Sequence, residues 1–263
     1  MPRLTRPILD TIYRKYNRKE LVSPDPLQFL YEYPRKEDRE IAALIASSLA
    51  YGRVAQILTS VSRVLEAAGP YLRDFILDNG DNHFRREFRN FKHRFTTGEE
   101  MSALFIGLKK ILETHGSLES CFVSYLEQGA PSLLPAITAF TKEIRHASAM
   151  PASSLISDPS KGSACKRLHL FLRWMVREDS VDPGGWKNIQ PSMLIIPLDT
   201  HMHYFGTCYG FTSRKAADLK TALEITEGFS RLNSGDPVKY DFSLTRFGIR
   251  NDLCWDDLES MIK

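Results

Sequence analysis

The sequence predicts an all-α helical bundle, and three observations carry that prediction. Apolar residues recur at spacings of three and four along most of the chain. No series of alternating apolar and polar segments long enough for a sheet interrupts them. Glycine and proline fall between the periodic segments rather than inside them. With 263 residues, 43% of them hydrophobic and 25% charged, the chain has the balance of a folded globular protein. One domain over 1–263 is expected, two helical lobes around a cleft, with loops near 151–163 and 180–192 as the places for a boundary.

Ile41, Leu44, Ile45, Ser48 and Leu49 share one helical face. Val54, Ile57, Leu58, Val61, Val64 and Leu65 form a second stripe, with Gly52 as the turn between the two and Gly69-Pro70 as the stop. Phe84, Phe88, Phe91 and Phe95 predict a further helix with an aromatic core stripe. Arg85, Arg86, Arg89, Lys92 and Arg94 fill the positions between, either as a solvated basic face or as phosphate contacts. Segments 101–112 and 118–126 are amphipathic, punctuated by Gly116 and Gly129-Ala130-Pro131. The stretch 151–163 is rich in Ser, Pro, Asp and Gly and is expected as loop, 165–176 returns to helix, and 180–192 is loop again. Met193 to Ile196 is an apolar run that Pro197 ends at once.

The net charge of +3 permits a nucleic-acid partner without demanding one. No apolar run reaches the roughly 18–20 residues of a membrane span, and residues 1–18 lack the apolar core of a secretory signal, so a cytoplasmic setting is expected. Cys121, Cys165, Cys208 and Cys254 are scattered and form no C-x-x-C pair. Clustered-thiolate zinc and iron–sulfur sites are therefore not expected, nor is any other cofactor, and idle thiols in a reducing compartment are.

Three segments have the composition of a site. Gly162-Ser163-Ala164-Cys165-Lys166 is a small-residue turn running into a helix, an arrangement that points backbone N–H groups at an anion. Leu198-Asp199-Thr200-His201 opens another helix, where Asp199 serves as an N-cap, as a cleft carboxylate, or as both. Asp236 to Phe242 starts a late helix. His201 and His203 form an H-x-H pair, but residues two apart on a helix do not share a face, which weighs against a metal. Lys166 is either a solvated helix-terminal lysine or a nucleophile.

Pro197-Leu198-Asp199-Thr200-His201-Met202 resembles the V-D-T-H-V segment of the helix–hairpin–helix base-excision DNA glycosylases. Tyr209-Gly210-Phe211 stands where that family has an R-L-G-L-like stretch. Gly162 to Lys166, followed by Phe171-Leu172-Arg173, is similar to the G-x-G-x-K hairpin and F-L-R helix of archaeal-type 8-oxoguanine glycosylases. Residues 39–49 resemble the first core helix of the endonuclease III group. Nearly the full length also resembles an uncharacterised bacterial family of unknown function, through 91–95, 171–177 and 236–242. The sequence departs from the glycosylase pattern at Ala164, where the second hairpin glycine belongs. Ile156-Ser157-Asp158-Pro159 replaces the L-P-G opening, the stretch from Lys166 to Asp199 is longer, and the four-cysteine cluster is missing.

The glycosylase resemblance implies a helix–hairpin–helix fold, with duplex DNA carrying a damaged base as partner. Lys166 would be the nucleophile and Asp199 its carboxylate partner, cleaving an N-glycosidic bond with a Schiff-base lyase step as an option. Gly162, Ser163, Ala164, Arg167 and Arg173 would meet DNA, with carboxylates left open as the partners of the two arginines in place of phosphates. Trp174 and Phe242 would line the base pocket, with Trp186 a further aromatic candidate, unless they are core residues. Two alternatives stay open: a binding module that has lost the chemistry, which Ala164 motivates, and a metal-dependent hydrolase built on the D-T-H-x-H segment. Nothing in the sequence points to a protein partner.

Overall fold

The computed structural model describes residues 4–130, 132–149 and 155–262. They form α1 (Arg6–Tyr16), α2 (Lys36–Ser48), α3 (Val54–Ala68), α4 (Leu72–Asp78), α5 (Asp81–Glu87) and α6 (Gly98–His115) in the first half. The second half holds α7 (Leu118–Val123), α8 (Leu134–Ala147), α9 (Lys166–Val176), α10 (Thr200–Cys208), α11 (Leu219–Ser230), α12 (Asp241–Ile249) and α13 (Trp255–Ile262). Apart from a two-stranded hairpin, the described residues are helix and loop, as an all-α class requires. None of these helices is long and apolar enough to cross a membrane.

Helix α2 lies at the centre. It is buried on every side from Ile41 to Ser48, the signature of a helix surrounded by others. It packs on α9, α4, α3, α7 and the 3-10 segment Pro26–Glu32. Its buried Glu40 is satisfied by distant chain. The carboxylate accepts from Leu118 N at 2.7 Å, Glu119 N at 3.1 Å and Trp186 Nε1 at 2.9 Å. Burial pushes its carboxyl up to about 7, against those hydrogen bonds.

Helix α6 starts with a capping box. Thr97 Oγ1 accepts from Glu100 N at 3.3 Å, and Glu100 Oε2 accepts from Thr97 N at 2.8 Å. It packs on α5 and α8.

The aromatic stripe needs a correction. Helix α5 stops at Glu87, and residues beyond it form a hairpin of β1 (Lys92–His93) and β2 (Thr96–Thr97). Phe84, Phe88 and Phe91 are buried, whereas Phe95 is 74% exposed. Side chains from outside the segment hold this turn. Tyr51 Oη donates to His93 O at 2.8 Å and also receives Thr96 N at 3.3 Å, while the His93 ring bonds Ser60 Oγ at 2.9 Å. Arg94 takes a left-handed conformation (φ 53°) at the tip.

The loop after α9 folds back on its helix. Trp186 N donates to Met175 O at 2.8 Å and Gly184 N to Trp174 O at 3.0 Å. The run from Leu194 to Leu198 is buried and forms no strand. Ile196 N instead donates to Thr226 Oγ1 of α11 at 3.0 Å. Segment 151–154 of the expected loop, and Pro131, lie outside the described residues.

Candidate active site

Two local structures bring the leading residues together. At the first, Gly162 adopts a left-handed conformation (φ 76°) and its carbonyl accepts from Leu219 N at 3.0 Å, while Ser163 pairs with Asp218 across an isolated bridge. Cys165 is left-handed too (φ 44°), and its carbonyl takes Leu168 N at 2.9 Å and His169 N at 3.2 Å, so α9 begins at Lys166. At the second, Asp199 caps α10, its Oδ1 accepting from Met202 N at 2.8 Å. Its other oxygen, Oδ2, lies 3.5 Å from Lys166 Nζ. The cap and cleft roles open at the sequence level thus coexist in one side chain.

Lys166 and Asp199 line a cavity of about 390 Å³. Lys166, Leu170 and Arg173 supply one wall, at the i, i+4, i+7 positions of one face of α9. Asp241, Thr245 and Gly248 supply another in the same way from α12. Asp25, Gly52 and Val54 close the cavity from the N-terminal part of the chain.

The floor is ionic. The Arg173 guanidinium bridges Asp182 and Asp241, and Arg177 bridges Asp179, Asp182 and Asp236. Burial pushes the Asp241 carboxyl up to about 6; Arg173 opposes this and the nearby Asp199 charge adds to it. Asp179 is held down to about 2, because Arg177 and two backbone N–H groups outweigh its burial. Arg246 is buried beside this floor, donating from Nη2 to Asp25 Oδ2 at 2.9 Å and stacking 4.3 Å over the Phe242 ring.

Each expected site residue now has a place. Lys166 and Asp199 meet. Gly162 and Ser163 are exposed in the turn, and Ala164 is buried. Arg167 is half-buried, donating to Ser48 O at 2.7 Å and to Ser157 Oγ at 3.2 Å. Of the two kinds of partner open for Arg173, the structure gives it carboxylates and not a DNA-facing position: it is 3% exposed and its guanidinium is held between two of them. Trp174 and Phe242 depart from the expected base pocket: each is 1% exposed in the core, and neither lines the cavity. Trp186 is core as well, tied to Glu40.

The two histidines part company. His201 lines the cavity, while His203 Nε2 bonds Arg214 O at 2.8 Å. Among the described residues, no group of three His, Cys, Asp or Glu side chains gathers as a metal site. Sequence reasoning passed over Asp25 and Arg246 as cavity groups and reached Asp241 only as part of the Asp236 to Phe242 segment. The 241–245–248 spacing is a legible signal of a shared face; Asp25 and Arg246 carry none.

Arg94 of the hairpin packs against Gly52, one of the cavity residues. An added Cβ there would sit 2.6 Å from Arg94 Cδ. Gly52 also requires a left-handed backbone (φ 98°), so this contact belongs to glycine. The Arg94 guanidinium is 5.5 Å from the exposed Phe95 ring.

No curated protein and no solved structure matches the chain. The model of one family, described as a protein of unknown function (DUF2400), matches residues 25–250. The match spans most of the chain, which therefore belongs to that family.

Proposed function

We propose that the protein is a DNA glycosylase-like base-excision enzyme of helix–hairpin–helix type, acting in a cytoplasmic setting. One observation carries this reading: Lys166 Nζ and Asp199 Oδ2 stand 3.5 Å apart in one open cavity. Asp199 is positioned to take a proton from the Lys166 ammonium. The freed amine attacks C1′ of a flipped nucleotide, and the C1′–N bond breaks with its electron pair leaving on the base, which gains a proton. Loss of a proton from the attached nitrogen and opening of the C1′–O4′ bond then give a Schiff base. Carboxylate charge beside the sugar stabilises the oxocarbenium character of the first step.

The hairpin that packs on Gly52 supports a nucleic-acid partner. Arg94, against the cavity residue Gly52, and exposed Lys92 offer phosphate contacts, and exposed Phe95 beside Arg94 offers a stacking surface. The same hairpin would serve a protein that binds without turnover, so chemistry must decide between the two. Incubation with abasic or 8-oxoguanine duplexes and borohydride is expected to trap a covalent adduct that Lys166→Gln abolishes. No adduct on any lesion, with salt-dependent binding retained, leaves the binding module; neither adduct nor binding removes both.

A further inference from the structure

The hairpin carries an aromatic ring that core packing does not explain. Phe95 is the most exposed large apolar side chain among the described residues. It is held out, because the turn beneath it is pinned. Besides the bonds from Tyr51 Oη, His93 Nε2 donates to Tyr51 O at 3.0 Å, which leaves Nδ1 to accept from Ser60 Oγ of α3 at 2.9 Å. The imidazole so fixed is buried and ties the hairpin to α3.

Beside that anchor lies a cleft of about 390 Å³, lined by other residues than the cavity of Lys166 and Asp199. Gln56, Thr59 and Ser60 of α3 form one side, and Lys92, His93 and Arg94 of the hairpin the other. No carboxylate lines it, and among the described residues neither Lys92 nor Arg94 has an ionic partner. The cleft thus faces its occupant with two unpaired cations, which suits an oxyanion. Arg94 joins the cleft to the ring: it lines the one, and its guanidinium is 5.5 Å from the other. Paired cations with an aromatic face one side chain away match a nucleic-acid strand, in which each phosphate is one sugar from a base. An acidic peptide would answer the cations and leave the ring unused.

We propose that the cleft between α3 and the hairpin is a second nucleotide subsite: Lys92 and Arg94 take a phosphodiester, and Phe95 stacks on the base of that nucleotide. Arg94 also lies on Gly52 of the Lys166 cavity, so the nucleotide held here flanks one held there. The subsite rests on the nucleic-acid partner of the proposed function and is independent of the Lys166 chemistry.

Fluorescence anisotropy of a labelled thymidine oligonucleotide of about ten residues, titrated with the full chain, is the test. Lys92→Gln combined with Arg94→Gln is expected to weaken binding about tenfold or more at low salt and to reduce the log–log salt slope by roughly one and a half. Phe95→Ala is expected to weaken binding about fivefold or more with the slope unchanged, and Phe95→Trp to restore it. Inorganic phosphate and thymidine 5′-monophosphate, as competitors, separate the oxyanion from the nucleotide. The monophosphate should compete several-fold better in wild type and no better in Phe95→Ala. All three side chains are exposed, and circular dichroism and melting temperature establish that each variant folds. No oligonucleotide binding by wild type, or wild-type affinity in the charge variant or in Phe95→Ala, would overturn the proposal. So would inorganic phosphate competing as well as the monophosphate, or polyglutamate displacing the oligonucleotide at equal charge. Borohydride trapping separates the two levels. An adduct from a protein whose binding ignores the hairpin variants removes the subsite and leaves the enzyme, whereas hairpin-dependent binding without an adduct does the reverse.

Discussion

The His201 ring occupies the space that a side chain at Gly248 would fill: a Cβ there would overlap the ring at Nδ1 and Cγ. Helices α10 and α12 therefore meet with an imidazole lying on bare backbone, and that imidazole lines the cavity. Gly248→Ala forces the ring to move. The expected cost is about 1–3 kcal/mol in denaturant unfolding. Adding His201→Ala should restore most of it, because the smaller residue vacates the space. Additive losses in the double mutant would show that the contact is not the cause.

Asp199 does two jobs, and two substitutions separate them. Asp199→Asn keeps an acceptor for Met202 N, so stability should change little. Asp199→Ala removes the cap and should cost about 1 kcal/mol. Both remove the carboxylate facing Lys166, so adduct formation should slow by roughly 100-fold or more in each. Full activity in Asp199→Asn would reduce the residue to a cap.

Arg173 holds Asp182 and Asp241 together in the interior. Arg173→Met leaves two buried carboxylates without their shared counter-charge. A loss of about 3–5 kcal/mol is expected from chemical denaturation. A loss below about 1 kcal/mol, the scale of an exposed ion pair, would contradict the burial described for this cluster.

His169 is fully buried on α9 with neither ring nitrogen partnered, and burial pushes its pKa down to about 4. The native state thus favours the neutral ring, while the unfolded chain takes up a proton near 6.5. The resulting stability is present above pH 6.5 and is lost as pH falls through about 4, about 3 kcal/mol in all. Glu40 slopes the other way: its raised pKa gives stability below about 4.5 that is lost as pH rises through about 7. The stability of wild type minus that of His169→Leu should therefore fall as pH drops from 6.5 to 4. A pH-independent difference would mean that His169 finds a partner on protonation.

Much of the fold was legible because it rests on local periodicity. The α2 and α3 stripes, the Gly52 turn and a helix over about 165–176 all follow from spacing and punctuation. The Phe84 to Phe95 stripe misled, since Tyr51 and His93, bonding from outside its period, turn a helix into a hairpin. The Lys166–Asp199 pair was legible through a turn and a cap, each with a local signature. Arg173 was legible as helix but not as buried, because its carboxylates come from a loop and from α12. The aromatic residues put forward for the base pocket went to the core, where large apolar surface contributes most to stability. Arg246 gave no warning at all, since an arginine within a helix is ordinarily a solvated one.

The wall that α9 contributes also fixes a length. Lys166 opens that wall with its side chain 36% exposed, and Arg173 ends it at 4%. Seven residues of helix separate them, a rise of about 10 Å. The helix is a ruler laid between the exposed lysine and the buried arginine, longer than one aromatic ring. The spacing between the Lys166 amine and the buried charges is thereby set by the helix itself, so a slip of α9 by one residue would put the two out of step.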